Sequence, residues 1–113
     1  MSEVTAEKNE ELEMHPIATR VIYEDAQVRV WDQVIEPHTE LKAHRHENDY
    51  VLVDLQGTSL HVEMLPGNEG EFEGEFEFEG KRGDVHIVKK GGVERAVNNS
   101  DKPYRSILVE LLD

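Results

Sequence analysis

Cysteine is absent from the chain, which excludes disulfides, cysteine-ligated metal sites and thiol nucleophiles together. Basic residues are scarce: Lys and Arg total 12 against 25 Asp and Glu, giving a formal net charge of −13. A chain so acidic repels phosphate backbones and anionic lipid, so nucleic acid and membranes are poor partners. No apolar run approaches a membrane span, and the N-terminus lacks the basic-then-apolar order of a secretory signal. These absences predict a cytoplasmic protein. A Ser-His-Asp order, a phosphate-cradling glycine loop and a dinucleotide fingerprint are missing as well.

What remains is mostly strand. The 113 residues suit one domain with a single core. Residues 1–15 are Glu-rich without a clear period and predict a mobile acidic arm, leaving 16–113 as the domain. From there β-branched and aromatic segments such as Val28-Arg29-Val30-Trp31 and Val85-His86-Ile87-Val88 alternate with turn signals at Glu24-Asp25, Pro37-His38, Leu65-Pro66-Gly67-Asn68, Gly83-Asp84 and Gly91-Gly92. Many short strands and no amphipathic helix predict an antiparallel β-sandwich or barrel. The strand Tyr50 to Leu55 is apolar on both faces, as if covered once by its own core and again by a second subunit. A homodimer is therefore expected. The run from Gly70 to Gly80 sets Phe72, Phe76 and Phe78 between glutamates, a structural strand with a solvated acidic side.

The stretch from Ala43 to Gly57 carries the chemistry. His44 and His46 stand one residue apart, so in extended backbone both imidazoles project from one face over roughly 6 to 7 Å. That suits one metal ion or one polar ligand. Tyr50 shares their parity. His38 and His15, beside prolines, and His61, opposite the apolar face of its strand, read as surface residues. His86 fits a pocket as well as a buried, hydrogen-bonded position.

Two motifs resemble those of the cupin superfamily, small jelly-roll barrels of the double-stranded β-helix type. In the first, His44 and His46 supply the His-x-His pair and Gly57 the closing glycine, while Tyr50 stands where the motif has glutamate and His38 where it opens on glycine. Asp49-Tyr50-Val51 is also similar to a subgroup of single-domain bacterial cupins that includes proteins assigned to β-alanine breakdown. In the second, Gly83, Gly91 and Asn98 fit the spacing literally and put Glu94 in the histidine's place. A register shifted by one, using Gly92 and Asn99, puts Arg95 there instead. Strand parity favours the shifted register, because Val93, Arg95 and Val97 then share the inward face.

The resemblance implies an antiparallel double-stranded β-helix, an all-β fold, and a metal centre of three histidines and one glutamate holding iron, manganese, nickel or zinc. Only His44 and His46 of that set are retained, with Glu94 as the reserve third ligand. Arg95 facing inward would disfavour a divalent ion and hold a carboxylate instead, with Tyr50 and His86 completing a small-molecule site. The expected function is therefore a barrel pocket for a small, anionic metabolite, as a divalent-metal-dependent enzyme. The alternatives are a metal-free small-acid binding or sensing module and a structural dimer without catalysis.

Overall fold

The computed structural model describes residues 13–112, and among them the chain forms nine strands and no helix. The β-branched and aromatic runs become β1 (Arg20–Glu24), β2 (Val28–Ile35), β3 (Thr39–Arg45), β4 (Tyr50–Gln56), β5 (Ser59–Met64), β6 (Glu75–Glu79), β7 (Val85–Val88), β8 (Val93–Asn98) and β9 (Tyr104–Leu111). Local side chains fix the joints. Asp25 Oδ1 accepts the backbone N–H of Gln27 at 2.8 Å and of Val28 at 2.9 Å, which reverses the chain between β1 and β2.

Every pairing is antiparallel, and the strands form a five-stranded sheet in the order β1-β2-β9-β4-β7 and a four-stranded sheet in the order β3-β8-β5-β6. Apart from β1-β2 and β5-β6 the neighbours are distant in sequence, as in a jelly roll, so the expected all-β double-stranded β-helix is the observed architecture. Ile35 and Tyr104 of the first sheet meet Leu60, Val62 and Ala96 of the second in one core cluster. A second cluster joins Ile17 and Ala18 to Tyr50 and Leu108. Of the acidic arm expected over 1–15, residues 1–12 lie outside the described residues. His15 N–H already donates to Ala43 O at 2.8 Å.

Asn98 holds the end of β8. It is fully buried; its Nδ2 donates to Ile35 O at 2.9 Å and Lys102 O at 2.8 Å, and its Oδ1 accepts from Ser100 N at 2.9 Å. Asn98→Ala would strand these groups away from water. We expect a loss of about 2–3 kcal/mol, read as a lower midpoint in urea with an unchanged slope.

The five-stranded sheet is apolar over much of its outer face. Val30, Val109, Val51 and Ile87 form one cross-strand row on its outer face, and Ile107, Val53 and Val85 continue the next. Ile87 is 71% exposed and Val85 59%. The doubly apolar β4 read from the sequence is thus half right: Val51, Val53 and Leu55 do face outward, but the inward set is Tyr50, Leu52 and Asp54.

Candidate functional site

A cavity of about 340 Å³ lies between the sheets. Its walls are mainly Leu, Val and Phe side chains, with His44, His46, Tyr50 and Glu94 together at one pole and His86 farther along. Among the described residues, no lysine or arginine lines it.

The histidine pair arrives by way of an irregularity. Leu41 faces Ala96 across the β3–β8 ladder, the register shifts between Leu41 and His44, and His44 then faces Glu94. The shift flips strand parity, so a residue three places after Leu41 also points inward. His46 follows beyond the end of β3, anchored by its backbone N–H to Gly92 O and by its carbonyl to Gly91 N, each at 2.9 Å. The two rings stand edge to face with centroids 4.9 Å apart, and His46 stacks on Tyr50 at 4.2 Å.

Glu94 completes the group. His44 Nε2 lies 3.2 Å and His46 Nε2 3.4 Å from Glu94 Oε2, and one ligand atom from each of the three residues lies within 4.8 Å of the others. The second-motif register preferred on parity is therefore corrected. Glu94, opposite Met64 and His44, faces inward, whereas Arg95 pairs with Glu63 across the ladder on the outer face, with its Nε 2.9 Å from Glu63 Oε1 and 3.7 Å from Glu40 Oε1. Arg95 does not line the cavity. Burial on this strand is not the same as facing the core. Val93 is fully buried, yet it sits at the strand's start where the turn after β5 closes over it: Leu65 N–H donates to Val93 O, and Val93 N–H to Asn68 Oδ1. The literal spacing of Gly83, Gly91 and Asn98 is the one that fits. Gly91, at φ 105°, passes so close to Glu69 that a Cβ would lie 3.0 Å from its carbonyl oxygen.

His44 Nδ1 lies 2.7 Å from Lys42 O, and since a carbonyl only accepts, Nδ1 carries the proton and donates. In the neutral ring Nε2 is then a bare lone pair aimed at a carboxylate. Two acceptors face each other there unless a cation lies between them, either a proton on the imidazole or a metal ion. Burial pushes the Glu94 carboxyl up, but the hydrogen bonds and positive charge of His44 and His46 outweigh it and hold it at about 2. The fixed tautomer, the outer partner on Nδ1 and the shared carboxylate together match a two-histidine, one-carboxylate metal site. Tyr50 is not part of that set: burial foremost, and then the nearby Glu94 charge, push its phenol far above its usual value, so it stays protonated as a neutral wall.

His86 lines the cavity. His61 faces outward, clamped between Glu75 and Glu77. Phe72, Phe76 and Phe78, read as structural, form a cavity wall. Asp54 was missed. It is fully buried and accepts from Tyr104 Oη at 2.6 Å, Lys81 N at 3.1 Å and His86 Nε2 at 3.0 Å. The alternation Tyr50, Leu52, Asp54 carried the signal, since it puts a carboxylate on the inward face.

No family model matches the chain, and no curated protein matches it either. Solved structures do. A cupin domain from Bordetella pertussis Tohama I superposes with a TM-score of 0.71 at 23% identity, over 88% of this chain and 100% of that one. A double-stranded β-helix protein from Klebsiella pneumoniae gives 0.62 at 21% identity, over 91% and 84%. An RmlC-like cupin family protein from Methanocaldococcus jannaschii gives 0.63 at 11%, over 82% and 77%. At these identities the likeness is one of fold.

Proposed function

We propose, from the premise that this chain is a double-stranded β-helix of the cupin type, that it is a metal-dependent protein with its ion held by His44, His46 and Glu94. The observation that carries this reading is the convergence of His44 Nε2 and His46 Nε2 on one Glu94 oxygen, at 3.2 and 3.4 Å, with the His44 ring held by the hydrogen bond from Nδ1 to Lys42 O. Iron, manganese, nickel and zinc all accept such a donor set. A bound ion would supply a Lewis acid with positions left open for a ligand.

The chain's own residues set what can enter. A cavity of about 340 Å³ suits a small metabolite, and its aromatic and aliphatic walls favour an apolar body. Because no lysine or arginine among the described residues lines it, an anionic group on that metabolite depends on the ion rather than on Arg95. Tyr50, neutral and stacked on His46, offers one hydroxyl. The resemblance to cupins of β-alanine breakdown rests on Asp49-Tyr50-Val51 and names no substrate for this cavity.

The metal reading is tested on protein purified without a histidine tag. It should carry a transition metal, and added Fe(II), Mn(II), Ni(II) or Zn(II) should raise the melting temperature of chelator-treated protein. At a hundredfold excess over Kd the stabilisation is about 2.7 kcal/mol, a rise of roughly 10–20 °C for a domain of this size. Absence of metal together with no rise from any of the four ions would sink the reading.

The apolar outer face of the five-stranded sheet supports a homodimer. Two copies each carrying a net −13 repel over most of their surface, and the row from Val30 to Ile87 is a broad uncharged area through which they can meet. Ile87→Glu should convert a dimer to a monomer at micromolar concentration in sedimentation velocity. A parent protein that is already monomeric there would remove the proposal.

A further inference from the structure

The cavity has a second polar feature, well away from the metal-ligand pole. Gln33 of β2 is only 6% exposed and lines the same cavity. Its neighbours along the strand are engaged: Trp31 Nε1 donates to Glu110 Oε1 at 2.7 Å, and Asp32 Oδ1 lies 3.4 Å from Arg105 Nη2. The Gln33 amide has no such partner among the described residues. It carries two N–H donors and a carbonyl acceptor, and leaving them unpaired in a buried site costs stability. A ligand in the cavity would satisfy them.

Strand register fixes how far this amide stands from the pole. Gln33, Ser106 and Asp54 form one inward row across β2, β9 and β4, and Arg29, Glu110 and Tyr50 form another. Four residues separate the two rows, about 13 Å along the strand. Tyr50 stacks on His46, so its row marks the pole. The row between holds Trp31, Leu108 and Leu52, with His86 at its edge on β7, and Leu60, Val62 and Phe78 line the cavity from the other sheet. The two ends differ in charge. An ion on His44, His46 and Glu94 would attract an anionic group. At the far end the Asp54 carboxylate shares the Gln33 row, and no lysine or arginine among the described residues lines the cavity to offset it. A second anion is disfavoured there, whereas a neutral group that both donates and accepts can pair with a carboxamide twice.

We propose that Gln33 is a specificity-determining residue, and that the cavity takes an elongated carboxylic acid whose far end carries an uncharged carboxamide, paired with the Gln33 amide. The acid end rests on the metal reading above; the amide end does not. An extended chain of about six carbons covers most of the span between the two rows and leaves room for a contact at each end. Its methylenes meet the apolar walls.

The probes are the monoamides of succinic, adipic and suberic acid. Each is set against the acid of the same shape in which an isopropyl group replaces the carboxamide, and against the parent dicarboxylic acid. All are titrated into the full-length protein, zinc-loaded and chelator-treated, by calorimetry and by the ¹H–¹⁵N resonances of the side-chain amides. At least one monoamide should bind about tenfold or more tighter than its branched isostere and tighter than its dicarboxylate, with the Gln33 side-chain resonances shifting. Gln33→Leu should abolish that preference while holding affinity for the branched acid within about threefold. Gln33→Met, which keeps the side chain's length, should do the same. Zinc bears only on the carboxyl end: zinc that fails to bind brings down the metal reading, while the amide preference is still read in the chelator-treated protein. Monoamide and isostere alike in both forms, including no binding of either, overturns the proposal, as does a dicarboxylate that binds tighter than its monoamide. So does a preference retained in both variants, the result expected if Gln33 holds an ordered water only.

Discussion

Glu94→Gln is expected to weaken transition-metal binding by at least the 10–100-fold that loss of a mere supporting partner costs a metal site, because it removes the only anionic ligand from a set of three. Isothermal titration of parent and variant with Zn(II) reads this directly. The same substitution should change the pH dependence of the metal-free protein. The Glu94 carboxyl is held at about 2 in the folded chain against an ordinary 4.5, so the unfolded chain binds its proton first as pH falls. Its contribution to stability is complete above about 4.5 and is lost as pH drops toward 2. Melting temperatures of the parent should therefore fall more steeply over that window than those of Glu94→Gln. Parallel curves would show that the carboxylate and the two imidazoles do not share charge in the folded state.

Gly57→Ala should be among the most damaging single-methyl additions in the chain. A Cβ at Gly57 would lie 2.0 Å from Gly80 O and 2.7 Å from its carbonyl carbon. Both are backbone atoms, so no rotamer can relieve the clash. Nor can Gly80 retreat freely: its N–H donates to Thr58 O at 2.9 Å, and any Cβ there would itself lie 2.7 Å from Tyr104 Cε1. The displacement would pass to Tyr104 and its bond to Asp54. We expect about 3 kcal/mol of lost stability, a fall of roughly 10–20 °C in melting temperature. Gly92→Ala is the control, since its Cβ would meet nothing nearer than Met64 Cε at 3.7 Å. Equal losses in the two variants would mean that close approach at Gly57 is not what requires glycine.

Strand order of this kind cannot be read from periodicity alone, yet the turn residues and the two spaced motifs were enough to specify a jelly roll. His44 and His46 were legible because an i, i+2 pair shares a face whatever the surrounding register. Glu94 against Arg95 was not, because the deciding fact is tertiary. Val93 is buried by the turn after β5 and by Asn68, an apolar position filled from outside the core, and a one-residue frame rests on such a neighbour. The shift between Leu41 and His44 is equally silent in sequence, since nothing in Lys42-Ala43 marks a bulge. Asp54 was legible and overlooked: in Tyr50-Val51-Leu52-Val53-Asp54 the apolar residues draw attention while parity alone puts the carboxylate inside. The wall phenylalanines were hidden by their glutamate neighbours, which describe only the other face of the same strand.

That strand, β6, has one further consequence. Among the described residues it pairs only with β5 and is the last strand of its sheet, so its outer edge carries no partner strand there. Glu75, Glu77 and Glu79 line it at alternate positions and are exposed, and a neighbouring copy approaching in register would bring a second row of glutamates against the first. Growth by edge-to-edge strand addition is thereby refused on this side. Association is steered to the other sheet, and two joined copies would stand back to back, their phenylalanine walls turned outward and their two cavities filled and emptied without reference to one another.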